Sequence, residues 1–253
     1  MAHPIIPWPG GKRRLLKQLL CDMPDHSSYV EVFGGGAALL LAKAPAPAEV
    51  LNDIHGELVR LYRCVQHHLD ELVRQFRWAL TSREMFRWAQ LQHPETLTDI
   101  QRAARFYYLQ KLAFGGKVAG QTFGTAPAAP PRLNLLRMEE DLSQAHLRLA
   151  RVTVENLPWR ECIARYDRPE ALFFLDPPYW RVTGYGGTFG REEYDGLASA
   201  MRTMKGRAML TINDHPEMRT AFAEFRRQRV SLAYTVGGGD KAKAVSELIV
   251  RNW

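Results

Sequence analysis

The residues best suited to chemistry are Asp176-Pro177-Pro178-Tyr179, which directly follow an apolar run at 171–175 that reads as a buried strand. In an open α/β sheet, ligands bind at the carboxyl ends of strands, so this position places Asp176 at a site. Two successive prolines donate no backbone hydrogen bonds, hold the chain extended and leave their carbonyls as fixed acceptors. A carboxylate beside a fixed carbonyl suits an aromatic amine, whose lone pair is delocalised into the ring. The two acceptors take its hydrogens, draw the nitrogen toward tetrahedral geometry and stabilise the positive charge that grows on it during alkylation. Tyr179 adds a flat face on which a nucleobase extruded from a duplex could stack. Alone, the four residues are also compatible with a rigid turn after a strand.

Three further groups share the N-terminal part of the chain. Glu31-Val32-Phe33-Gly34-Gly35-Gly36-Ala37-Ala38 has the form of a strand, a glycine turn and a helix start, as in a nucleotide-binding first crossover. It lacks the Gly-Lys-Ser/Thr ending of a phosphate loop, which disfavours ATP. Asn52-Asp53 closes the next strand about twenty residues on, where an acid can bind ribose hydroxyls or cap a helix. Trp8-Pro9-Gly10-Gly11-Lys12 offers backbone amides and a cation to a carboxylate, with Trp8 as an apolar wall.

These groups need a scaffold, and the periodicity supplies one. Strands are predicted at 28–32, 49–51, 151–156, 171–175, 208–212, 230–236 and 247–251, with helical patterns at 12–22, 37–44 and 191–205. The alternation implies an α/β fold with a mainly parallel sheet covered on both faces. The last two strands leave no room for a helix between them, so that pair is expected to be antiparallel. Residues 58–149 break the alternation with helices at 58–80 and 100–112, a glycine-punctuated loop or hairpin at 114–124, and a proline-rich loop at 125–131. This block is read as an insertion, leaving 1–57 and 150–253 as the sheet domain.

Composition narrows the classes further. The net charge of +7 points to a polyanionic partner, and 58–149 holds 13 Lys/Arg against 8 Asp/Glu, five of the seven net charges. No apolar run is long enough to span a bilayer, and the start is too proline-broken for a signal-peptide core. The three dispersed cysteines suit a reducing compartment, so a cytoplasmic protein is expected. Cys64-x-x-His67-His68 falls on one helix with no second pair at zinc spacing, and no metal is expected.

Taken together and in order, these motifs resemble the Dam-like (D12) class of DNA adenine methyltransferases, particularly those of phages and prophages. The resemblance covers essentially the whole chain. It implies a Rossmann-like class I methyltransferase fold with a seven-stranded sheet, its last strand antiparallel, and a mainly helical target-recognition insertion. It implies transfer of a methyl group from S-adenosylmethionine to the 6-amino group of a flipped adenine in double-stranded DNA, with S-adenosylhomocysteine as product. Trp8, Gly10, Gly11, Lys12, Glu31, Phe33, Gly34, Gly35, Gly36, Asp53, Asn156 and Asp176 would bind the cofactor, and Asp176, Pro177, Pro178 and Tyr179 would form the catalytic pocket. Two positions depart from the pattern. Val32 stands where many members have proline, and Leu157-Pro158-Trp159 stands where many have an acid and an aromatic, which puts the contact to the cofactor's adenine ring in question. Arg105, Lys111, Lys117, Gln121 and Arg132 are the candidates in the insertion for DNA contact, and a monomer without an obligatory protein partner is expected. A cytosine 4-amino acceptor, an RNA or protein acceptor and a binding-only protein are the alternatives. Asp176 speaks against the first two, because those enzymes usually carry serine or asparagine there. Intact Asp176, Lys12 and Asp53 speak against the third.

Overall fold

A computed structural model describes residues 2–124, 130–182, 189–234 and 243–253. The strands are β1 (Ser28–Glu31), β2 (Ala48–Asn52), β3 (Val152–Glu155), β4 (Ala171–Leu175), β5 (Arg207–Asn213), β6 (Arg226–Tyr234) and β7 (Lys243–Arg251). The helices are α1 (Leu16–Cys21), α2 (Ala38–Ala42), α3 (Gly56–His67), α4 (Leu69–Arg74), α5 (Arg83–Leu91), α6 (Asp99–Leu112), α7 (Leu135–Leu149), α8 (Trp159–Tyr166), α9 (Arg191–Thr203) and α10 (Pro216–Ala221).

All seven strands form one sheet in the order β3-β2-β1-β4-β5-β7-β6. The pairs from β3 across to β5 are parallel, and β7 runs antiparallel to both β5 and β6. This is the expected α/β arrangement, with its last strand reversed. Period-two alternation divides the core between the two faces. On β4, Leu172 and Phe174 pack with α1, α2, α3, α6 and α7, while Phe173 and Leu175 pack with α8, α9 and α10. All five residues of β4 are buried, as a central parallel strand requires.

The segment between β2 and β3 is mainly helical. The expected single helix at 58–80 is two helices: α3 ends at His67, the chain turns at His68, and α4 stops at Arg74. The first helical pattern, 12–22, likewise opens as a 3-10 turn at Lys12–Arg14 before α1 begins. Residues 113–124 close as a hairpin-like loop through an isolated bridge between Ala113 and Phe123. Part of the proline-rich loop, 125–129, and the glycine connection before β7, 235–242, lie outside the described residues.

The segment is fastened to the sheet. Gln66 on α3 donates to the carbonyls of Leu149 and Val152, each at 2.8 Å. Arg148 on α7 donates to Glu49 at 2.9 Å and to the Leu40 carbonyl at 2.7 Å, while Lys43 bonds the same carboxylate at 2.6 Å. Its apolar residues, including Leu58, Tyr62, Tyr107 and Leu142, join the same buried cluster as Tyr29 and Leu40. No helix among the described residues is long and apolar enough to cross a membrane.

Candidate active site

Strands β1 and β4 are neighbours, and the chain winds away from them in opposite directions. The crevice over their carboxyl ends is where open α/β sheets bind ligands. A cavity of about 770 Å³ opens there, lined by Trp8, Gly10, Gly11, Lys12, Glu31, Phe33, Gly34, Gly35, Gly36, Asp53, Asp176 and Pro178, among others. The site residues expected from four separate stretches of sequence therefore meet in one place.

Asp176 leaves the end of β4 with its side chain 20% exposed. Its Oδ1 receives the Lys12 ammonium at 2.7 Å and the Thr211 hydroxyl at 2.8 Å. Burial pushes the carboxyl above the ordinary aspartate value. The charge of Lys12 and the hydrogen bonds from Lys12 and Thr211 pull it down without cancelling that rise, and the negative charge of Glu247 adds to it. Lys12 is itself 4% exposed. It also donates to the Gly10 carbonyl, and its Nζ lies 4.7 Å from the centre of the Tyr179 ring.

The rest of the motif is gripped from below. Pro177 is buried, and Tyr179 is 9% exposed with its hydroxyl donating to Glu247. The Trp180 N–H donates to Asn213 Oδ1 at 2.9 Å, and Asn213 Nδ2 donates to the Trp180 carbonyl at 3.1 Å. Of the two proline carbonyls expected to face outward as acceptors, that of Pro178 accepts the hydroxyl of Tyr194, which rises from α9 beneath the motif.

On the opposite wall, Gly35 has φ +46°, and a Cβ there would lie 2.7 Å from ring atoms of Trp8. Only glycine lets the indole lie against this turn. Asp53 accepts the Gly35 N–H and the His55 N–H, each at 2.8 Å, and burial raises its carboxyl against those bonds. Beside it Ile54 is 67% exposed and lines the same cavity. Glu31 is 2% exposed, and its Oε2 accepts the Tyr29 hydroxyl at 2.8 Å and the Leu40 N–H at 2.9 Å. Burial pushes its carboxyl up to about 8.

Asn156 lies outside the cavity lining, and its amide donates to the Asp53 carbonyl at 2.7 Å. Among the insertion candidates, Lys111 and Arg132 line the cavity. Lys117 is exposed on the loop after α6. Arg105 bridges α6 to the Ala89 carbonyl at 2.6 Å, and Gln121 donates to Gln110 and to the Lys117 carbonyl, each at 2.9 Å. Cys64 is buried while His67 and His68 are exposed, and among the described residues no group of three or more His, Cys, Asp or Glu is arranged to hold a metal.

Sequence reasoning missed several roles. Asn52 ties three strand ends together: its amide donates to the carbonyls of Val32 at 2.9 Å and Leu157 at 3.1 Å, and it accepts the Leu157 N–H at 2.9 Å. His55 caps α3 and packs edge-on against Trp8, with ring centres 5.9 Å apart. Thr211 and Glu247 were legible only as parts of strands.

A sheet of this order, with a glycine turn after β1, an acid after β2 and Asp-Pro-Pro-Tyr after β4, defines a class I methyltransferase fold. The family model for D12 class N6 adenine-specific DNA methyltransferases matches residues 8–236, and the chain belongs to that family. It is 30% identical over 219 residues to the Type II methyltransferase M.CviBI of Paramecium bursaria Chlorella virus NC1A, covering 83% of this chain and 82% of that one. It is 23% identical over 277 aligned positions to the Type II methyltransferase M1.LlaDCHI of Lactococcus lactis subsp. cremoris, covering 99% and 95%. The DNA N-6-adenine-methyltransferase of Escherichia phage P1 is 27% identical over 237 residues, which span 86% of this chain and 31% of that protein.

Proposed function

We propose that this DNA adenine methyltransferase takes its methyl group from S-adenosylmethionine and acts on an adenine flipped out of double-stranded DNA. The observation that carries the reading is the placement of Asp176, hydrogen-bonded at Oδ1 and open to the cavity at the junction of β1 and β4.

The donor set fits the cofactor. Asp53 is a carboxylate for ribose hydroxyls, Ile54 and Phe33 are apolar walls for a purine, and the glycine turn admits a ligand close to the backbone. Trp8 and Lys12 would flank the methionine end. When bound, the cofactor supplies an electrophilic methyl on a sulfonium, and a single displacement leaves S-adenosylhomocysteine.

The protein's own residues do the rest. Asp176 and the Pro177 carbonyl accept the two hydrogens of the amine and direct its lone pair. Tyr179 provides the stacking face for the base. Lys12 and Thr211 both bond Asp176 at Oδ1, which holds the carboxylate in place and leaves Oδ2 for the amine. The methylated nitrogen then sheds a proton, and Asp176, which burial makes more basic than a surface carboxylate, is positioned to take it. Residues 58–149 are proposed as the DNA-recognition segment, with Lys111, Lys117 and Arg132 toward phosphates and Arg105 and Gln121 shaping the surface. A monomeric, cytoplasmic enzyme without a metal completes the reading.

Equilibrium titration with S-adenosylmethionine tests the donor. The wild-type chain is expected to bind it, and Asp53→Ala to bind about 10- to 100-fold more weakly, as for loss of hydrogen bonds to a charged group. A wild-type chain that does not bind it would contradict the assignment.

A further inference from the structure

Glu247 is a buried carboxylate that the chemistry above does not use. It is 1% exposed on β7, followed by the buried Leu248, Ile249 and Val250. Taking a carboxylate out of water is costly, and a tyrosine hydroxyl can be satisfied by a neutral acceptor. A carboxyl group retained here calls for a purpose beyond filling the core.

Its surroundings indicate one. Glu247 accepts the hydroxyl of Tyr179. Its register partner on β5 is Asn213, whose amide brackets the backbone of Trp180. Two residues earlier on β5, Thr211 holds Asp176. The closing strands thus hold three parts of one short segment: the Asp176 carboxylate, the Tyr179 ring and the Trp180 backbone.

We propose that Glu247 is a positioning residue, which tethers the Tyr179 hydroxyl and so fixes the plane of the ring on which the flipped adenine stacks. The inference rests on the function proposed above. A ring held at its far end cannot pivot about its Cα–Cβ bond. Released, it carries the base with it, and a displacement of about 1 Å can cost about 100-fold in rate.

The test uses a duplex carrying 2-aminopurine at a position the wild-type enzyme methylates. Stacking on Tyr179 is expected to hold its fluorescence low in the wild-type complex. Glu247→Ala should give brighter emission and a kcat about 10- to 100-fold lower, with cofactor affinity unchanged. Glu247→Gln, whose amide oxygen still accepts the hydroxyl, should restore both. Wild-type kcat and emission in Glu247→Ala, or a Gln variant as impaired as the Ala variant, would overturn the proposal. If Glu247→Ala does not fold, Tyr179→Phe removes the hydroxyl alone and should brighten the emission and lower kcat; wild-type values there would equally overturn it. A wild-type enzyme that leaves no methyl on DNA adenine would instead refute the reading of the site on which the tether rests.

Discussion

Asp176 accepts hydrogen bonds from an amine, and stabilises the charge that grows on it, far better when ionised, and burial makes its ionisation harder. The rate should therefore fall on the acid side of the profile, with a midpoint above the ordinary aspartate value. The Thr211 hydroxyl favours the ionised form, so Thr211→Val should move that acid limb to higher pH; an unmoved limb would mean another group controls it. Asp176→Ala should lower kcat by roughly 100- to 1,000-fold or more, the scale for losing one preorganised polar partner of a transition state, while leaving the fold intact. Glu31 bears on stability instead. Its folded-state value of about 8 lies above the unfolded value of 4.5, so the stability it contributes is full below that lower value and is lost as pH rises through 8. Melting curves across this window should flatten in Glu31→Gln, and an unchanged slope would show that Glu31 is not the group responsible. Asp176, Asp53 and the glycines were legible in sequence because each ends a strand, and strand ends are local signals. Thr211 and Glu247 were not, because their partners Asp176 and Tyr179 lie 35 and 68 residues away and only the sheet brings them together.

Among the elements, the turn after β1 has least room for change. Gly35→Ala would force an L-residue into a positive φ and press its Cβ against Trp8. A loss of about 1–2 kcal/mol is expected, together with weaker cofactor binding as the indole is displaced. Thermal melting and titration check both, and wild-type values would mean the turn does not shape the cavity. The strands were readable to within a few residues because central parallel strands are short and apolar, although β6 and β7 begin earlier than their apolar cores, at Arg226 and Lys243. The break at His68 was hidden for a physical reason. Leu69, Leu72 and Phe76 continue the apolar stripe of α3 across it, so periodicity alone sees one helix. Helix α5 carried a local sign that went unused: the Ser82 side chain accepts the N–H groups of Glu84 and Met85 as an N-cap.

At the scale of the whole molecule, the proposed function gives the excess of positive charge over 58–149 and the cavity at the sheet junction one shared task, holding a polyanion while one base is withdrawn from it. If Arg132 neutralises a phosphate, Arg132→Gln should weaken binding to all duplexes alike and reduce the slope of log K against log salt by about 0.9. An unchanged slope would remove it from the interface. The parallel character of the sheet was implicit in the alternation of strands and helices, whereas its strand order and the packing of α3 and α7 onto it were not, since apolar faces do not declare which surface they cover. The central claim is that this assembly methylates the 6-amino group of adenine in DNA, and its most direct test is transfer from labelled S-adenosylmethionine to unmodified duplex DNA, digested to nucleosides and separated. Label in N6-methyldeoxyadenosine, absent with Asp176→Ala, is the predicted result; label in N4-methyldeoxycytidine, or none on DNA while the cofactor remains bound, would contradict it.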